Sequence, residues 1–374
     1  MYSFHSVLNI VFLGHYHLSI ILTKIYFDSI INLVIVLQKL VKPATYMGLL
    51  RGSFFLRSYK MSTDNLTTKP FLTYTQQIEK LRSKGLLILD EPNTIKLLKK
   101  YSYFSLIGGY KVPFKNIDKT YKKHTSIDDI LVLYTFDDDL RNLFLRYTLK
   151  IEKHIKSLIS YAFCEEYGDK QDSYINATNY FYDNKNQHGI NELIVKISAL
   201  IKTPKKYPYI IHQENAHKNV PLWVIMNALT LGTVSKMYSF LPQSIQTKIT
   251  KEFKNVHKTE LSQMLDLLAR ARNVCAHNER FYNYRYGRSS IDDTKVHHLL
   301  HLSFKNERFT QGKNDLFAVV ITFKYLLDKE DFSTFCKDLD FLFLTLKSKT
   351  NQIQQPQLFR YMGFPENWRE IEGC

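Results

Sequence analysis

The chain has 374 residues and a formal net charge of +16, with 45% apolar and 14% aromatic residues. This apolar content is typical of a globular protein and excludes a chain that is disordered throughout. The basic excess predicts a polyanionic partner, either a nucleic acid or an anionic membrane surface. A surface charge that only keeps the protein soluble is the alternative.

The four cysteines are scattered and form no Cys-x-x-Cys pair: Cys164, Cys275, Cys336 and Cys374. This distribution excludes a recognisable zinc module and argues against a disulfide framework. We therefore expect a reduced, cytoplasmic setting for the protein.

Residues 1–60 differ in composition from the rest of the chain. Met1–Thr23 contains no Lys, Arg, Asp or Glu, and Ile30–Leu37 is a second apolar run. The first stretch is long enough to span a bilayer, but it contains several polar residues and lacks the basic start of a signal peptide. The polar segment that opens at Met61 predicts that translation begins there, which leaves 61–374 as one domain. A membrane anchor and an amphipathic helix packed on the body are the alternatives, and membrane association is expected only if 1–60 is translated.

The first part of the body is predicted to form short helices. Thr73 and Gln76 have the spacing of a capping box, with a stop at Gly85. A second helix is predicted over Pro92–Tyr101, because Pro is tolerated in a first helical turn. The aromatic segment Tyr101–Tyr110 follows, and its rings are interpreted either as core or as a surface that stacks on nucleic-acid bases.

The strongest periodicity predicts a helix over Leu140–Tyr167 that stops at Gly168. Ser126 and Asp129 predict the capped start of another helix before it. The polar face of the long helix is basic, with Arg141, Arg146, Lys150, Lys153 and Lys156. A solvent-exposed face is the default interpretation of this stripe, and a surface that binds RNA phosphates is the alternative.

Apolar spacing predicts further helices over Ile190–Ile201, Leu222–Thr230, Val234–Leu241, Glu260–Ala276, Leu316–Leu327 and Phe332–Leu346. No segment alternates polar and apolar residues over the length of a strand. The sequence therefore predicts an all-α fold with about ten helices.

Three residues near the end of one predicted helix carry candidate chemistry. Asn273 and His277 are four positions apart, so they share a helical face. Arg272 precedes His277 by five positions, which places it about 140° away on an ideal helix. Its long side chain can still reach the same cavity, especially if a second chain closes over it.

These residue types suit the cleavage of RNA by its own 2′-hydroxyl. That reaction needs proton transfer near neutral pH, for which His277 is the candidate, and a fixed cation on the phosphate, for which Arg272 is the candidate. Asn273 can orient the imidazole or donate to a phosphate oxygen, and Glu279 and Arg280 are candidate supporting residues. We expect no metal and no other cofactor. A capping histidine beside a solvent-exposed arginine is the alternative interpretation.

The segment Arg272-Asn-Val-Cys-Ala-His277 resembles the Arg-x4–6-His motif of the HEPN superfamily, in the version with Asn directly after Arg. The resemblance implies a HEPN-like helical bundle with additional flanking helices. It also implies a metal-independent ribonuclease that works as a homodimer with two facing motifs.

Four longer segments narrow this resemblance to Abi-like proteins of the AbiD/AbiF type, which are bacterial abortive-infection proteins. These segments are Lys99–Phe114, Leu140–Gly168, Val220–Tyr238 and Tyr361–Trp368. Asn227 departs from the Trp-x3-Glu pattern that the resemblance implies, which predicts an altered activity if that Glu supports the site or the fold.

The resemblance implies an anti-phage endoribonuclease that acts on RNA and is restrained by a small RNA or a protein antitoxin. Two alternatives remain open from the sequence. One is a non-catalytic RNA-binding or regulatory module, and the other is a membrane-associated phage-defence effector.

Overall fold

The computed structural model describes residues 70–204 and 207–374. Phe71–Cys374 forms one compact unit. The predictions made for residues 1–60 and for a start at Met61 lie outside the described residues.

Fourteen α-helices make up most of the described part of the chain, which confirms the all-α prediction. They are α1 Tyr74–Arg82, α2 Glu91–Tyr101, α3 Ile127–Tyr167, α4 Gln171–Tyr174, α5 Gln187–Lys202, α6 Pro208–His217, α7 Leu222–Ile225, α8 Leu231–Phe240, α9 Gln243–Thr250, α10 Lys258–Ala276, α11 Lys295–Leu299, α12 Leu316–Leu326, α13 Lys329–Lys349 and α14 Gln355–Met362. Shorter helical turns cover Phe104–Gly108, Val112–Phe114, Ala177–Asn179, Met226–Ala228 and Trp368–Gly373.

Local capping signals predicted helix starts correctly. Thr73 and Gln76 form a reciprocal capping box at the start of α1, and Ser126 and Asp129 form another at the start of α3. In each box the side chain of one residue accepts a hydrogen bond from the backbone of the other, so two otherwise unpaired N–H groups are satisfied. Gly168 ends α3, as predicted.

Helix α3 is the central element of the fold. It has 41 residues, which corresponds to about 60 Å of continuous helix. The two helices predicted in this region are therefore one helix, which begins at Ile127. Its buried face packs against α7, α9, α10 and α13.

Aromatic rings fill the core around the middle of α3. The ring of Phe144 packs edge-on against Phe281 and Phe335, with centroid distances of 5.1 and 5.2 Å. Such edge-to-face pairs add about 0.5–1.5 kcal/mol each beyond the burial of their area. Phe281 lies shortly after α10, so this packing fixes the chain that follows α10 against the core.

One short hairpin was not predicted from the sequence. Phe304–Lys305 (β1) pairs antiparallel with Arg308–Phe309 (β2), and Asn306 and Glu307 between them both have positive φ angles. Two paired residues on each strand are too few to produce a detectable alternating pattern.

Candidate active site

Helix α10 ends immediately before His277. Asn278 adopts a left-handed conformation with a φ of 56°, which Asn tolerates better than most residues. Its N–H donates to the carbonyl of Cys275 at 3.3 Å, and the N–H of Glu279 donates to Val274 at 3.1 Å. This pair of bonds is the Schellman pattern, which turns the chain sharply at the end of a helix. His277 therefore has a defined position as the first residue of this turn, and we call residues His277–Arg280 the motif turn.

One face of α10 is held firmly by the fold. Leu261, Leu265 and Leu268 are fully buried, where α10 packs against α3, α8 and α12. The opposite face is open to solvent, and Asn273 and His277 are both exposed on it. The N–H of His277 donates to the carbonyl of Asn273 at 2.9 Å, so the two residues share one face, as predicted.

Arg272 is half-buried, and on an ideal helix its position lies about 100° around the axis from Asn273. Its Nε is buried and makes no hydrogen bond to any of the described residues. Leaving a buried donor unpaired costs about 1–3 kcal/mol, and more when the group is charged. Because this Nε is shielded from solvent, an anion or an acceptor on another chain can reach the side chain only through the terminal nitrogens of its guanidinium.

Cys275 lies inside the motif but is not a candidate nucleophile. Burial raises the pKa of its thiol to about 12. The thiolate, which is the reactive form, is therefore scarce near neutral pH.

Asp137 of α3 anchors the chain that follows the motif turn. Its carboxylate accepts hydrogen bonds from the backbone N–H groups of Phe281 and Tyr282, at 2.9 and 2.6 Å. It also accepts one from the hydroxyl of Tyr110 at 2.6 Å. Burial raises the pKa of the Asp137 carboxyl, and these donors oppose the rise. One carboxylate thus joins α3, the segment that contains Tyr110, and the chain after α10.

Arg141 belongs to this anchor, so its predicted place on an exposed basic face is wrong. The side chain is 3% exposed, and its guanidinium donates to Asp137 at 2.9 Å and to Asp138 at 2.8 Å. A further bond of 3.2 Å reaches the carbonyl of Glu279 in the motif turn. Arg141 cannot contact an RNA phosphate from this position, but it fixes the backbone two residues after His277.

The rest of the predicted basic stripe is largely paired with carboxylates. Arg146 lies 3.8 Å from Asp338 of α13, and Lys156 lies 2.6 Å from Glu152. Lys150 forms an ion pair with Asp331, also on α13, and Lys153 is exposed. Because neighbouring carboxylates offset most of this charge, a phosphate-binding role for the stripe stays a prediction with little support.

Glu279 and Arg280, the two supporting residues predicted in the motif turn, are both exposed. Of the two, only Arg280 makes a hydrogen bond through its side chain to the described residues. Its Nη1 donates to the carbonyl of Gly109 at 2.7 Å. Glu279 is held through its backbone carbonyl, by Arg141. Arg280 therefore joins the motif turn to the aromatic segment predicted near Tyr101–Tyr110.

A cleft of about 680 Å³ lies between these two segments, and we call it the aromatic cleft. Rings of Tyr101, Phe104, Tyr134 and Tyr284 line it, together with the motif turn from Asn278 to Arg280. Sequence reasoning missed Tyr134 and Tyr284, because each lies far along the chain from Tyr101. It also left the role of the aromatic segment undecided.

Arg270 is a further residue that the sequence did not single out. It lies three positions before Asn273 and seven before His277, so it shares their exposed face. Its Nε lies 3.4 Å from the Asp266 carboxylate, which also accepts a hydrogen bond from the hydroxyl of Ser289. Its spacing of three residues from Asn273 could have identified Arg270 from the sequence as a further residue of this face.

The family comparison matches the region just described. The sequence model of the Abi-like protein family aligns with residues 96–283, which is half of the chain. The chain belongs to the Abi-like protein family. The match includes the aromatic segment, helix α3 and the candidate motif on α10, and this family suggests a part in abortive infection, a defence against phage. Searches of curated proteins and of solved structures gave no match.

The matched range does not reach the C-terminal segment of this Abi-like protein. The resemblance proposed for Tyr361–Trp368 lies outside residues 96–283 and stays an expectation. Asn227, where the resemblance predicted Glu, is exposed, and its Nδ2 donates to the carbonyl of Trp223 at 3.0 Å. The fold therefore accommodates Asn at this position without a buried, unpaired group.

In residues 70–204 and 207–374, no three His, Cys, Asp or Glu side chains come together as ligands for one metal ion. No helix in these ranges combines the length and apolar content that crossing a membrane requires.

Proposed function

We propose that this Abi-like protein is an abortive-infection endoribonuclease that cleaves RNA through attack by the 2′-hydroxyl. Arg272 carries the proposal, because its half-buried side chain makes no hydrogen bond or ion pair with the described residues, and the terminal nitrogens of a guanidinium suit a phosphate oxygen. His277 lies at the exposed end of the same helix, where a substrate can reach its ring. Family membership supports the setting of phage defence, and the chemistry rests on these residues.

In the proposed reaction His277 accepts the proton of the 2′-hydroxyl, and the 2′-oxygen forms a bond to the adjacent phosphorus. The bond from phosphorus to the 5′-oxygen breaks, and the protonated His277 returns its proton, directly or through water, to that oxygen as it leaves. Arg272 donates to the non-bridging oxygens as negative charge builds on them, and Asn273 orients the imidazole. The products are a 2′,3′-cyclic phosphate and a 5′-hydroxyl.

A homodimer is part of the proposal. Arg272 and His277 point about 140° apart on one helix, so a single chain does not direct both toward one phosphate without bending the arginine side chain. Two copies of α10 that face each other would place Arg272 of one copy beside His277 of the other. We further propose that a small RNA or a protein antitoxin restrains the enzyme before infection.

The test compares three full-length proteins produced in growing bacteria: wild type, His277→Ala and His188→Ala. His188 is the matched control, because its side chain is 86% exposed and lies on α5, outside the motif. We expect growth arrest and RNA fragments that end in a cyclic phosphate from wild type and His188→Ala, and intact RNA from His277→Ala. Equal RNA cleavage by wild type and His277→Ala would refute the proposed chemistry.

A second outcome would favour a different function. If the wild-type protein binds RNA without cleaving it, and His277→Ala binds equally well, the protein is an RNA-binding module. The aromatic cleft gives that alternative a physical basis, since neither Arg272 nor His277 lines it.

A further inference from the structure

We infer that the aromatic cleft binds an unpaired base of single-stranded RNA, next to the phosphate that the motif cleaves. This inference rests on the proposed function for the identity of the substrate. The volume of the aromatic cleft, about 680 Å³, lies within the range of sites that bind small ligands. Asn278, which directly follows His277, forms part of its wall, so the cleft adjoins the motif.

Phe104 is the first reason for this inference. Its ring is 85% exposed, whereas Leu106 and Ile107, which follow it in the same helical turn, are fully buried. That turn is a π-type turn, and such turns occur often at functional sites. A large apolar ring held in solvent by a packed turn presents a stacking surface for a flat ligand.

The other rings extend this surface. Tyr101 and Tyr134 pack with their ring centres 4.7 Å apart, and Tyr134 meets Tyr110 edge-on at 5.2 Å. Because Tyr110 donates to the buried Asp137, this set of rings is tied to the core and keeps its orientation. Preformed aromatic walls lose little conformational entropy when a base binds.

The charges at the cleft suit a phosphate chain. Lys100 and Arg280 both line it, with Glu279 as the carboxylate in the same lining. The guanidinium of Arg280 has five N–H donors, and the bond to Gly109 uses one of them. A stacked base would therefore place its flanking phosphates beside two cations, and this combination is typical of sites that bind single strands.

Single-stranded RNA fits this cleft better than duplex RNA does. Bases in a duplex are stacked on one another inside the helix, so their faces cannot reach Phe104. An unpaired base can turn out and stack on a protein ring at little cost. The proposed enzyme would therefore cut loops and unpaired stretches in preference to helices.

Gly109 offers a way to fill the cleft without removing any of its rings. It has helical φ and ψ angles of −72° and −41°, which any residue adopts. A Cβ placed on Gly109 meets no atom of the described residues within 4 Å. Gly109→Leu is therefore expected to occupy the cleft while the fold and the carbonyl that binds Arg280 are kept.

The experiment measures binding of a labelled unpaired oligoribonucleotide by fluorescence anisotropy, in full-length proteins that all carry His277→Ala so that no strand is cut. Phe104→Ala and Gly109→Leu are compared with Phe341→Ala, a control on α13 whose ring is 67% exposed outside the cleft. Loss of one stacked base should weaken binding between about fivefold and about a hundredfold in both cleft variants. Phe341→Ala should bind as the parent does, and all proteins should bind a duplex of the same sequence equally.

The possible outcomes distinguish a failure of the base-binding site from a failure of the proposed ribonuclease activity. If both cleft variants bind the single strand as tightly as the parent, or if the parent binds no RNA, the inference is overturned. The inference is also overturned if a free mononucleotide competes as well as the oligonucleotide, since the site would then not be built for a strand. If cleft binding is found but proteins with an intact His277 cleave no RNA, the base site stands and the ribonuclease proposal fails.

Discussion

Replacing Asp137 by Asn tests whether one buried carboxylate holds the motif turn in place. Asp137 is fully buried and accepts hydrogen bonds from Tyr110, Phe281, Tyr282 and Arg141. An amide keeps one acceptor oxygen, but its NH₂ group would face hydrogen-bond donors that need an acceptor. A neutral amide also no longer balances the positive charge of Arg141. Breaking a buried ion pair from one side costs about 3–5 kcal/mol, and an unpaired donor costs about 1–3 kcal/mol. Because Asp138 still pairs with Arg141, we expect a loss near the lower limit, about 3 kcal/mol.

Urea unfolding followed by circular dichroism measures this loss. A shift of about 1 M in the unfolding midpoint is expected if the urea dependence is near 3 kcal/mol per M. Asp138→Asn is the matched control, because it removes the other carboxylate that pairs with Arg141, one that is 50% exposed. We expect less than about 1 kcal/mol from the control, as is usual for exposed ion pairs.

Hydrogen exchange adds a local measurement to the same comparison. The amides of Phe281 and Tyr282 donate to Asp137, so they should exchange faster in Asp137→Asn than in Asp138→Asn. The reasoning is refuted if both variants lose the same stability, or if the two amides exchange equally fast in both.

Three further predictions concern a buried histidine, a pair of glycines and the cysteine inside the motif. Burial lowers the pKa of His297 to about 4, and the nearby charge of Lys313 lowers it further, so the folded state resists protonation. Between pH 7 and pH 5 the unfolded state gains a proton at this histidine and the folded state does not. Wild type should therefore lose about 2 kcal/mol of unfolding free energy relative to His297→Gln, measured by urea unfolding at each pH. Gly363 and Gly168 both have a φ of 81°, but a Cβ on Gly363 would clash with the Asp315 side chain, whereas one on Gly168 would meet no described atom within 4 Å. Gly168→Ala therefore bears only about 1–2 kcal/mol of backbone strain. Gly363→Ala adds the clash to this strain and should lower the melting temperature more. Cys275 is buried and its pKa is raised to about 12, so at pH 8 a thiol reagent that absorbs on reaction should modify it only after denaturation, and rapid labelling of the native protein at this site would contradict its burial.

Sequence patterns predicted the parts of the fold that depend on near neighbours. The capping boxes at Thr73 and Ser126 and the stop at Gly168 were correct, because each is formed by residues within about one helical turn. The start of α3 was not recognised as continuous with the predicted helix over Leu140–Tyr167. A run of three carboxylates at Asp137–Asp139 interrupts the apolar periodicity there.

Asp137 also shows why part of the site could not be predicted. Its partners Tyr110 and Phe281 lie 27 and 144 residues away along the chain. From the sequence alone, an Asp and an Arg four residues apart on one helix have the spacing of an ordinary surface ion pair. Only tertiary contacts reveal that this pair is internal, so Arg141 was placed on the wrong face. The candidate residues Asn273 and His277 were easier, because their spacing alone determines that they share a face.

The position of Asp137 has a consequence for how the proposed substrate site is built. Tyr110 belongs to one wall of the aromatic cleft, and Phe281 follows directly after Arg280 on the other wall. Because one buried carboxylate accepts hydrogen bonds from both sides, the distance between the walls is set by the core and not by the ligand. The same carboxylate holds the chain four residues after His277. A base bound in the cleft and a phosphate bound at the motif would therefore share one rigid support, so a change at Asp137 should weaken RNA binding and RNA cleavage together.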